Sequence, residues 1–169
     1  MSKHIHFVIG STGAGKTTYA AKLAREIGGI PFAIDQWMMT LFHPDLPDTL
    51  TYDWMYERVL RVQAQIWELA VQTVRANVSP ILEIGLTTSA DRARFLVLAQ
   101  TADIPLHIHN LDIPRDIRWQ RVDARNREET DSYSFEVTRE MFNHFENLWE
   151  PPREAEINGW NATVTHIKN

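Results

Sequence analysis

One eight-residue stretch, Gly10-Ser11-Thr12-Gly13-Ala14-Gly15-Lys16-Thr17, constrains this chain more than any other part of it. It matches the Walker A pattern, in which glycines let the backbone curl so that successive N–H groups point at phosphate oxygens. The context is the one the motif requires. Ile5 to Ile9 is a short apolar run rich in β-branched residues, and Ala20, Leu23, Ala24 and Ile27 recur at helical spacing before Gly28-Gly29. A strand, a glycine turn and a helix in that order place the positive end of a helix dipole against the turn. The pattern predicts that Gly10 to Thr17, with Thr18, hold the phosphates of ATP. Lys16 is expected to reach the β- and γ-phosphates, and the Thr17 hydroxyl to ligate Mg2+.

Beyond the motif, strand and helix patterns alternate. Strands are expected at 31–34, 81–84, 105–108 and 163–167. Helices are expected from Asp53, with Val59, Val62, Ile66, Leu69 and Thr73 on one face, from Ser89, from Pro114, and over Phe135 to Trp149. Residues 38–50, with Pro44 and Pro47, and the polar residues 128–134 read as loops. This alternation predicts one α/β domain over residues 1–169, a three-layer P-loop NTPase fold whose five-stranded parallel sheet is flanked by helices.

Two acids fall where such a sheet collects ligands, at the carboxyl ends of strands. Asp35 closes the second strand, where a carboxylate can orient an acceptor hydroxyl and take its proton; it can equally cap the next helix. Glu83 ends the third strand. It can hold Mg2+, or be a buried acid paired with an arginine. On a helix at 100° per residue Arg118, Arg121 and Arg125 share one face. Arg121 and Arg125 are expected to form part of a lid, about 118–134, that neutralises transferring phosphate. Arg115 and Arg118 are expected on a solvated face, paired with Asp116, Asp123, Glu128 and Glu129.

Composition removes other classes. The 169 residues contain no cysteine, which excludes a disulfide scaffold, a Cys-based zinc site and a thiol nucleophile. No apolar run approaches the roughly 20 residues that span a membrane, and the first residues carry no signal-like segment, so the expected address is the cytoplasm. A net charge of -5 counts against nucleic acid as the partner. His4 with His6, and His107 with His109, sit two apart on strands, but neither pair has a third ligand in view, so no metal site is expected there.

From Gly10 to about Trp149 the sequence resembles the P-loop kinases of the polynucleotide kinase, zeta toxin and chloramphenicol phosphotransferase type. The pieces come in the family's order: GSTGAGKT, AIDQW at Asp35, TTSADRARF after the third strand, then LDIPRDIRWQRVDARNRE. The resemblance implies that Asp35 is the general base and that Arg121 and Arg125 are the lid arginines. The chain departs from the family in having Glu83 where Asp is frequent. It also has Gln36-Trp37-Met38-Met39 where polynucleotide kinases carry a basic residue. The second departure favours a small, partly apolar acceptor, with Trp37, Met38, Met39 and Arg92 expected to line its pocket. The expected activity is transfer of the γ-phosphate of ATP to a hydroxyl of a small molecule. The alternatives are a polynucleotide 5′-end kinase, a toxin-like kinase of a sugar nucleotide, and a non-kinase ATPase or nucleotide switch.

Overall fold

The computed structural model describes residues 3–49, 51–128, 136–160 and 162–168. Five strands, β1 (Ile5–Ile9), β2 (Ile30–Ala33), β3 (Pro80–Glu83), β4 (Leu106–Leu111) and β5 (Ala162–Ile167), form one sheet in the order β2-β3-β1-β4-β5. Every pairing is parallel. The crossovers are helical: α1 (Lys16–Ile27), α2 (Ile34–Phe42), α3 (Tyr52–Arg75), α4 (Ser89–Thr101), α5 (Arg115–Glu128), α6 (Arg139–Leu148) and α7 (Glu154–Gly159). Because all strands run the same way, their carboxyl ends gather on one edge.

The central strands are buried on both faces, as parallel strands must be when helices cover each side. Ile5, Phe7 and Ile9 of β1 pack with Val62, Ile66, Trp67 and Ala70 of α3 and Phe95 and Ala99 of α4. Phe95 is the hinge pin of this layer, 5.8 Å from the Phe7 ring centre and 5.9 Å from that of Trp67. Val8 and Ile81 face the other side, against Ala20, Leu23 and Ala24 of α1. A smaller cluster of Val122, Val137 and Phe142 joins α5 to α6.

Several boundaries differ from the sequence reading. The expected loop over 38–50 is helical through Phe42, then makes one 3-10 turn at His43–Asp45. Proline restricts the residue just before it, not the turn upstream, so Pro44 ends α2 without dissolving it. Asp35 lies in the first turn of α2 and not on the strand. The buried stripe of α3 is rotated from the expected one: Gln63, Trp67 and Ala70 are inside, while Leu69 and Thr73 are half-buried. Gln63 escapes an apolar pattern because its Nε2 donates to the Ile84 carbonyl at 2.7 Å, which satisfies a polar group in the core. β4 extends to Leu111. α6 starts at Arg139, capped by the Thr138 hydroxyl, rather than at Phe135. Phe135 and the loop expected after 128 lie outside the described residues. Among the described residues, no helix is long and apolar enough to cross a membrane.

Candidate active site at the carboxyl edge of the sheet

The chain leaves β1 at Gly10 and enters α1 at Lys16, and the intervening loop is shaped by backbone that only glycine tolerates. Gly13 has φ 78°, and a Cβ there would sit 2.5 Å from the Arg118 carbonyl oxygen. Gly15 is the left-handed N-cap of α1, whose first turn carries no acidic residue to compete for its N–H groups. An anion site results from main chain alone. Lys16 Nζ donates to the Ser11 carbonyl at 3.2 Å, which holds the ammonium across the loop.

Around this loop is a cavity of about 580 Å³. Its walls bring together Gly10, Ser11, Thr12, Gly13, Gly15, Lys16, Thr17 and Thr18 with Asp35, Glu83, Arg121 and Arg125. Ala14 is buried beneath the loop instead. The Thr17 hydroxyl donates to Glu83 Oε2 at 2.8 Å. Glu83 is buried, and that burial pushes its carboxyl above the ordinary range. The Lys16 ammonium and the Thr17 hydroxyl oppose the rise, and the Asp35 carboxylate adds to it. The Thr17 hydroxyl and the Glu83 carboxylate are hard oxygen donors suited to Mg2+, and the charge of that ion would offset the repulsion between Glu83 and Asp35. The Arg121 guanidinium reaches the Ala14 carbonyl at 3.3 Å. Arg125 Nε is buried with no hydrogen-bond partner among the described residues. A guanidinium N–H left unpaired beside such a cavity is a donor for an anion.

Arg118 has a different task from the one its helical face suggested. It is buried and holds Glu146 of α6 through two hydrogen bonds of 2.7 Å, while donating to the carbonyls of Ile113 at 2.8 Å and Thr12 at 3.2 Å. The Ser11 hydroxyl donates to the same carboxylate. Arg115 lies 3.6 Å from it and also bonds Asn143. The P-loop, α5 and α6 are thereby fastened at one point, where the sequence reading expected solvated pairs with Asp116 and Asp123. Glu146→Ala strands the Arg118 charge. It is expected to reduce unfolding free energy by about 2–3 kcal/mol, below the range for a fully buried pair because Glu146 retains some water contact. Urea denaturation measures it. The Arg118 hydrogen bonds, then those from Ser11, hold the Glu146 carboxyl below its ordinary value of 4.5. A depressed carboxyl stabilises the fold above the unfolded-state value and ceases to as pH falls through the folded one. The stability gap between the unaltered protein and Glu146→Gln is therefore expected to close below that ordinary value.

The four residues expected to line the acceptor pocket lie elsewhere. Trp37 and Met38 pack against the main core with Phe32 and Phe42, since α2 turns its apolar face inward. Met39 is half-buried and absent from the cavity wall. Arg92 is buried, with its Nε 2.6 Å and Nη2 3.0 Å from the two Glu156 oxygens of α7. The cavity is lined instead by Tyr52, Met55 and Tyr56 of α3, by Phe145 and Leu148 of α6, and by Trp149 just after it. Tyr52 and Tyr56 stack with ring centres 5.5 Å apart. Their i, i+4 spacing outside the buried stripe of α3 was the available signal.

This architecture defines a class. A parallel sheet with a P-loop between its central strand and first helix is the P-loop NTPase fold, and solved structures agree. A sugar kinase from Janibacter sp. HTCC2649 superposes with TM-score 0.65 at 17% identity, over 98% of this chain and 85% of that one. Kti12 from Chaetomium thermophilum, solved with ADP-AlF3, gives 0.71 at 12% identity, over 97% and 88%. A gluconokinase from Sinorhizobium meliloti 1021 gives 0.58 at 13%, over 98% and 83%. No curated protein matches the sequence. A family model described as an AAA domain matches residues 5–152, and the chain belongs to that family.

Proposed function

We propose that this protein is a phosphotransferase that moves the γ-phosphate of ATP to a hydroxyl of a small, partly apolar molecule. The observation that carries the reading is the position of Asp35 on the wall that also holds the P-loop, Glu83, Arg121 and Arg125. A switch protein needs the triphosphate grip alone. A carboxylate facing the same space, which tyrosines and apolar side chains also line, gives an incoming hydroxyl both a base and a seat.

In this reading the amides of Gly10 to Thr18 and Lys16 bind the triphosphate. Asp35 accepts the proton as the acceptor oxygen bonds to the γ-phosphorus, and the bond from that phosphorus to the β–γ bridging oxygen breaks to release ADP. Arg121 and Arg125 balance the charge on the transferring oxygens, a role supported by Arg125 Nε having no hydrogen-bond partner among the described residues. Thr17 and Glu83 would hold Mg2+, which supplies charge neutralisation at the phosphates. Tyr52, Met55, Tyr56 and Trp149 take over the acceptor contacts first expected of Trp37, Met38 and Arg92. The sugar kinase and gluconokinase among the structural neighbours lend support to a hydroxyl-bearing small molecule.

The test is a metabolite screen with γ-labelled ATP. A labelled organic phosphate ester is the expected product. Label appearing only as inorganic phosphate favours a nucleotide switch, and label on oligonucleotide 5′ ends favours an end kinase; either contradicts the proposal.

A further inference from the structure

The two histidine pairs do not stay apart. Parallel registration of β1 with β4 sets His6 opposite His107 and Val8 opposite His109, so His6, His107 and His109 emerge on one face of the sheet. One ring nitrogen from each of the three lies within 4.8 Å of the other two. Neither strand alone contains this set, which is why the sequence spacing did not disclose it.

We propose that His6, His107 and His109 form a binding site for one divalent transition-metal ion of the zinc class, fastening β1 to β4 beneath the helix that follows the P-loop. His6 Nδ1 and His109 Nε2 are 3.0 Å apart, close to the ~3.3 Å that separates two nitrogens on a tetrahedral ion with metal–nitrogen distances of about 2.0–2.1 Å. The outer nitrogens are supported in the way such ligands require. Tyr19 Oη of α1 is 2.8 Å from His109 Nδ1, and Thr165 Oγ1 of β5 is 2.8 Å from His107 Nε2. The Tyr19 hydroxyl orients the His109 imidazole with its Nε2 turned to His6, and the Thr165 hydroxyl engages one nitrogen of His107.

The donor set decides the ion. Three imidazoles and no carboxylate suit zinc, copper, nickel or cobalt and repel the hard cations, whereas the P-loop edge offers only oxygen. His107 and His109 stack with centres 4.2 Å apart and planes 18° from parallel, so a shared ion requires one ring to rotate. His107 is only half-buried, and an imidazole's second torsion is broad, so that ring can turn. Binding replaces the hydrogen bond between His6 and His109, and its proton moves to the other nitrogen of the ring that donates it. Burial and the neighbouring imidazoles already hold His6 at about 4 and His109 at about 3, which leaves both rings uncharged at neutral pH.

The experiment uses the full chain, stripped with a chelator and titrated with Co2+ as a spectroscopic probe and with Zn2+ by calorimetry. One equivalent of each is expected to bind, with visible Co2+ bands of a low-coordinate nitrogen site and a raised melting temperature. Tyr19→Phe keeps all three ligands and is expected to weaken binding about tenfold, the effect of losing an outer-shell partner. His107→Gln, at a half-buried position, is expected to weaken it further while its circular dichroism and its Mg2+·ATP binding stay unchanged. Failure to saturate at one equivalent overturns the proposal. So does equal Zn2+ affinity in both variants and the unaltered chain, or displacement of the bound Zn2+ by Mg2+·ATP, which would locate it at the P-loop.

Discussion

Asp35→Asn is expected to bind Mg2+·ATP as the unaltered chain does and to transfer phosphate about 10²- to 10⁴-fold more slowly. The substitution keeps the shape of an exposed side chain in the first turn of α2, so no core contact changes. What it removes is the group that accepts the hydroxyl proton. It also removes a negative charge that raises the Glu83 carboxyl, so Glu83 ionises more readily in the variant and affinity for the magnesium complex does not fall. Calorimetry for binding and single-turnover transfer with the acceptor from the metabolite screen separate the two effects. Unchanged transfer in Asp35→Asn would remove the assigned base.

Lys16→Ala should have the broader effect, because it acts on both binding and transfer. The ammonium lies across the P-loop, held by the Ser11 carbonyl, and it also restrains the rise of the Glu83 carboxyl. Its loss leaves the β- and γ-phosphates with main-chain donors only, and leaves Glu83 more readily protonated and so a poorer ligand for Mg2+. Transfer is expected to fall by about 10²–10³-fold, the effect of deleting one preorganised donor from developing charge, and ATP affinity with it. Glu146→Ala is the control, since it damages the same loop through packing and should lower stability first. A Lys16→Ala variant with unaltered ATP affinity would show that the ammonium makes no contact with the phosphates.

How far the sequence carried the account depends on whether a feature is local. The order of β1, P-loop and α1 is local: a β-branched run, glycines at fixed offsets and a helical period, each of which has one physical meaning. The strands at the sheet centre were legible for the same reason. Pairings across elements were not. Glu146 looks like one more polar residue on an amphipathic helix until the fold sets it under Arg118, which lies 28 positions earlier in the chain. The three histidines depend on β1 lying beside β4, a neighbour relation that no spacing within either strand encodes. Trp37 and Met38 do not line the cavity, because α2 is helical through Phe42 and its period turns them onto the core. Tyr52, Met55 and Tyr56 were missed for the converse reason. They sit outside the buried stripe of α3, and the i, i+4 spacing of the two tyrosines points to a shared surface without showing that a cavity forms in front of it.

The central claim is that a curl of unencumbered amides at the start of α1 grips a triphosphate. Titration calorimetry of the purified chain with ATP in excess Mg2+ tests it without reference to any acceptor. Saturable binding at one nucleotide per chain is expected, weakened in Lys16→Ala and retained in Asp35→Asn. Absence of binding by every nucleoside triphosphate tried, with magnesium present and the chain folded, would contradict it.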